Sequence, residues 1–130
     1  MNKTVIADTY LVNTKEISKS KTTFTSVEAI ESYLISEIKK HPVATYIATF
    51  DHHKHTASLE GGMIPQNIKA AKNILCCFGM AIPNAVFVGI KPMSIGVVET
   101  PDSFVFSFIE APAPSAQKAM SEWIGAVKNK

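Results

Sequence analysis

Three of the four histidines fall within Asp51-His52-His53-Lys54-His55. Neutral imidazole is the commonest side-chain ligand of transition metals, and an adjacent carboxylate either joins it or orients it. If the segment continues a strand, Asp51, His53 and His55 project from one face and His52 from the other. With convergence, such a set holds a divalent metal (zinc, copper or nickel) and keeps an open position, with His52, His53 and His55 as the candidate ligands. The plain alternative is a polar strand end kept wet by Lys54.

The two cysteines are neighbours, Cys76-Cys77, inside the apolar run Ile74-Leu75-Cys76-Cys77-Phe78. A strand turns alternate side chains to opposite faces, so the two sulfurs are predicted to part unless the backbone bends. Small buried packing groups are the simpler role; a reactive thiol working with His52 is the catalytic one. Met63, Met80 and Met93 carry soft sulfur suited to copper(I), but methionine in apolar surroundings more often fills gaps. Gly61-Gly62 lacks both the lysine and the spacing of a phosphate-binding loop. Glu60, Glu99 and Glu110 lie beside apolar runs, where a carboxylate near His52 would serve as an acid or base. No serine stands in a nucleophile elbow, and no catalytic motif is complete.

The elements that must position these groups are legible from periodicity. Val27, Ile30, Leu34, Ile35 and Ile38 form a helical stripe over about 26–40, opened by Thr25 with Glu28 as a capping box and closed by His41-Pro42. Pro114 opens a last helix whose Ala119, Met120, Trp123, Ile124 and Val127 share a face. Gln66 to Lys72 fits a short helix of about two turns. Strands are predicted at Val5–Val12, Val43–Phe50, Ile74–Phe78, Val86–Ile90, Ser94–Thr100 and Phe104–Ile109, the last two joined by the turn Pro101-Asp102-Ser103. The run ending at Gly79 reads as central and buried on both faces.

The 130 residues suit one α+β domain, 1–130, with a first strand and polar loop over 1–23 and the C-terminal helix over 114–130. The expected architecture is a two-layer sandwich of about five mostly antiparallel strands, with three helices packed on one face. All 13 basic residues are lysine, and the net charge is only +2. Without arginine's planar fork or a basic stripe, nucleic acid and anionic membrane surfaces are poor partners. No stretch is long and apolar enough for a span, the first residues lack a secretory core, and two adjacent cysteines staple nothing; the cytoplasm is the expected location.

The succession Ser26-Val27-Glu28-Ala29-Ile30, Phe50-Asp51-His52, Ile74-Leu75-Cys76-Cys77-Phe78-Gly79 and Pro92-Met93-Ser94-Ile95-Gly96-Val97-Val98-Glu99 resembles the small bacterial family called domain of unknown function 302, or a close uncharacterised relative. The similarity spans roughly residues 24 to 112. It implies an α+β fold and an Asp-His pair at a strand end, Asp51 and His52, with no established activity. The sequence departs from that pattern at Cys76-Cys77, in the histidines after His52, and at Lys72, where the family pattern has arginine.

Together these readings favour a non-enzymatic domain that binds a small ligand or transition metal. Asp51, His52, His53 and His55 supply the polar groups, and Cys76, Cys77 and Phe78 the apolar wall. The alternatives are a thiol–histidine enzyme using Cys76 or Cys77 with His52, and a protein-interaction module whose exposed strand and C-terminal helix form a homodimer.

Overall fold

The computed structural model describes residues 1–130. The chain runs β1 (Asn2–Ile6), β2 (Tyr10–Ser18), α1 (Val27–Lys40), β3 (Ala44–Asp51), α2 (His52–Ala57), β4 (Ala70–Phe78), β5 (Met93–Glu99), β6 (Ser103–Ile109) and α3 (Pro114–Gly125). All strands join one sheet in the order β1-β2-β6-β5-β4-β3, and every neighbouring pair is antiparallel. The α+β class holds, with six strands rather than five. No helix is long and apolar enough to cross a membrane.

One face of the sheet is sealed. Ile17, Phe104, Phe106, Phe108, Ile95, Val97, Ile74, Cys76 and Phe78 alternate inward along their strands and meet Val27, Ile30, Leu34 and Ile38 of α1. Met120, Trp123 and Ile124 of α3, with Val127 just beyond it, close the same core. Each such side chain contributes roughly 1.5–3 kcal/mol on leaving water. The helices are also tied to each other, since Tyr33 Oη donates to the Trp123 carbonyl at 2.7 Å. The residues between, including Val12, Val105, Ser94, Val98, Asn73, Leu75 and Cys77, lie half-buried on a second face that neither α1 nor α3 covers.

The boundaries of α1 come close to expectation. Its cap is Ser26, whose Oγ accepts from Ala29 N at 3.1 Å, so the cap lies one residue beyond Thr25 and Glu28 closes no capping box. His41 leaves helical geometry before Pro42. Pro114 does open α3.

Other expectations are corrected. The strand read over Val5–Val12 is instead a hairpin, because Ala7 and Asp8 both adopt positive φ (53° and 57°) and Thr9 N donates to the Ile6 carbonyl. Positive φ at both central residues is what a type I′ turn requires, and here it opens a three-residue connection between the paired Ile6 and Tyr10. The helix read over Gln66 to Lys72 does not form. Ala70, Ala71 and Lys72 pair with Glu99, Val98 and Val97, and Lys72 also pairs with Asp51. A two-turn helix is marginal alone, so a ladder that satisfies this backbone wins. Val86–Ile90 is no strand either: Asn84 Oδ1 accepts from Val86 N and Phe87 N, winding Phe87–Ile90 into a single tight 3₁₀ turn. β-Branched composition predicts a strand only where an edge is free to pair. Here β4 and β5 pair directly, and residues 79–92 merely connect them. The run ending at Gly79 is therefore flanked by strands but buried on one face only.

The hairpin turn carries a testable strain. A left-handed residue with a Cβ costs roughly 1–2 kcal/mol, whereas Asn-Gly adopts this turn readily. The double change Ala7→Asn, Asp8→Gly is expected to raise the urea midpoint by an amount worth about 1 kcal/mol. An unchanged or lower midpoint contradicts the turn assignment.

Candidate functional site

Asp51 decides the fate of the histidine segment. Its carboxylate accepts from Lys54 N at 2.9 Å, capping a helix that begins at His52. The segment is thus helical, not extended, and Asp51, His53 and His55 do not share a strand face. In its place His52 and His55, one turn apart, flank the Phe50 ring at centroid distances of 5.1 and 5.2 Å. No group of three or more His, Cys, Asp or Glu side chains in the molecule is placed to hold a metal ion. The fourth histidine, His41, packs edge-on to Phe78 and Trp123 and accepts from Val43 N.

The short helix α2 also corrects the expectation that all three helices cover one face. Its His52 Nδ1 meets Asn73 Oδ1 at 2.9 Å, and Asn73 alternates with buried Ile74 on the uncovered side. Asn73 Nδ2 donates to Ser94 Oγ at 3.1 Å. With its amide nitrogen so engaged, Asn73 turns its oxygen to His52 Nδ1, which is the donating nitrogen in this arrangement. Nε2 makes no hydrogen bond within the protein. His52 and His53, with Thr56, Met63, Ile64, Pro65, Ile68, Ala71 and Val98, line a cavity of about 270 Å³. Its walls are mostly apolar and its polar groups few, the usual make-up of a small-molecule site.

The other candidate residues are dispersed. Cys76 is wholly buried beneath the helices, on the opposite side of the sheet from His52. Burial and the adjacent Cys77 push its thiol up from 9.0 to about 12, so it stays protonated and inert. Cys77 faces the uncovered side but lies four residues along β4 from Asn73, roughly 13 Å at strand spacing. No cysteine–histidine pair forms. Phe78 stacks on Trp123 at 5.8 Å and belongs to the core. Lys72 is a structural cation: its ammonium donates to Glu31 at 2.8 Å with Glu28 at 3.9 Å, and the hydrogen bond to Glu31 raises its pKa. It joins α1 to β4 and is not free for a ligand. Of the glutamates, Glu99 pairs with Lys19 and Glu110 with Lys3.

Two residues that sequence reading passed over matter here. Asn73 is the one amide heading the apolar run of β4, and an uncharged polar residue there is a signal for an oriented partner. Lys91 is the one charged side chain in the stretch Met80 to Ser94.

A family of unknown function, DUF6858, has a model that matches residues 1–129, and the chain belongs to that family. The resemblance to domain of unknown function 302 is not what this match supports; what stands is membership of an uncharacterised family. No curated protein and no solved structure matches the chain.

The two thiols should separate cleanly by reactivity. Iodoacetamide at pH 8 is expected to modify one cysteine, Cys77, in the native protein and both in denaturant. Native modification of Cys76 at a comparable rate contradicts its burial under α1 and α3.

Proposed function

We propose that this member of the family is a binding domain for a small, largely apolar molecule bearing a hydrogen-bond donor such as a hydroxyl, taken up beside His52 and His53. The observation that carries the reading is the chain His52–Asn73–Ser94. It holds the imidazole through Nδ1 and leaves Nε2 without a partner in the protein, on a residue that lines a mostly apolar cavity. A ring oriented through its other nitrogen is pre-organised, so little rotamer freedom is lost on binding. The Phe50 ring packs against His52 and helps to hold it in place. Histidines that flank a ring rather than converge favour an organic ligand over a metal held by His52, His53 and His55 together.

A matched pair of probes tests this. p-Cresol carries the hydroxyl that toluene lacks and otherwise has nearly the same shape. p-Cresol is expected to bind roughly three- to tenfold more tightly, the value of one hydrogen bond, and to shift the His52 Nε2 resonance in nitrogen NMR. Asn73→Leu should abolish the preference by freeing the ring. Equal binding of the two probes, or an unmoved His52 resonance, overturns the reading.

A homodimer is a second reading, supported by the bare outer edge of β1, where all five residues are exposed, Val5 and Ile6 among them. An unpaired edge is a template for a second strand. Light scattering is expected to give twice 14.1 kDa at high concentration and the monomer mass for Val5→Lys. A constant monomer mass refutes it.

A further inference from the structure

The segment 79–92 lies against the uncovered face and, with Ile47 and Cys77, forms a second, open cavity of about 240 Å³. Ala81, Ile82, Pro83, Phe87 and Val88 form its walls. The rim is apolar too, with Met80, Ile82 and Val86 exposed to 90, 75 and 86%. One charge stands among these groups. Lys91 Nζ donates to the Phe78 carbonyl at 2.7 Å and lies 5.1 Å from the centre of the Phe87 ring. The ion pairs of the molecule involve other lysines, and Lys91 takes part in none of them. An ammonium has three donors, and only one is engaged here.

A half-buried cation without a counter-ion, set in apolar surroundings, is an incomplete arrangement that an anion completes. We infer that this cavity is a binding site for a medium-chain fatty carboxylate, its head on Lys91 and its chain along Ile47, Cys77 and Phe87. Apolar walls without the lysine would suit any oil, and the lysine without the walls would suit any anion. The pair selects a molecule that has both parts. A pocket of about 240 Å³ takes a chain of medium length, and octanoate is the probe of that class. The site is separate from that of His52, which lies at the other end of the β3–β4 pair.

Cys77 on the cavity wall reports occupancy. Octanoate, kept below its micelle concentration, is expected to slow iodoacetamide modification of Cys77 roughly tenfold by blocking access to the thiol. Octylammonium, with the same chain and opposite charge, should give little protection. Lys91→Gln keeps a donor for the Phe78 carbonyl but removes the charge, and should weaken octanoate protection roughly tenfold or more. His52→Ala should leave it intact. Equal protection by octanoate and octylammonium, full protection in Lys91→Gln, or none in the wild type overturns the inference.

Discussion

The two-residue alternation of β4 is the constraint on which the rest depends. Ile74, Cys76 and Phe78 are committed to the core, so Asn73, Leu75 and Cys77 must face the other way. A shift of one residue would bury Asn73 and expose three apolar side chains, so the register is strongly held. The adjacent cysteines consequently live in different environments: one sulfur is sealed beneath α1 and α3, and the other stands on a cavity wall. Asn73, Ser94 and Cys77 all lie on the face these helices leave uncovered.

That face is furnished by the elements the core does not use. α2 is a little over one turn long and gains its stability from Asp51 at its start and from its seat over β4. The 79–92 connection brings apolar side chains and Lys91 across the same side. Lys72 shows the contrasting case of a cation spent on structure, paired with α1 carboxylates. The distinction between Lys72 and Lys91 rests wholly on whether an acidic neighbour is present.

Where a pattern was long and amphipathic, the residues alone sufficed. The stripe from Val27 to Ile38 and the face from Ala119 to Val127 bury as their spacing requires, and the alternation of Phe104, Phe106 and Phe108 marks an inward strand face. Short segments went differently. Gln66 to Lys72 has helical composition, yet its last residues lie between two strands with free hydrogen-bonding edges. Val86–Ile90 has strand composition and no edge to join. At His52–His55 a cap outweighed continuation of the strand, which turned a prospective three-ligand face into two rings around Phe50. The candidate site was legible only in part: His52 stood out by type, but its partner Asn73 is 21 positions away in sequence and Ser94, which Asn73 contacts in turn, is 42.

By itself, then, the sequence determined the α+β class, the two long helices, the inward face of the sheet and the divergence of Cys76 from Cys77. Each follows from local periodicity, which is a property of neighbouring residues. Tertiary structure alone decided the six-strand order, the side on which α2 sits, the hydrogen-bond partner of His52 and the lack of an ion pair at Lys91. These depend on which distant groups meet, and burial and hydrogen bonding across the sheet settle that only once the chain has closed.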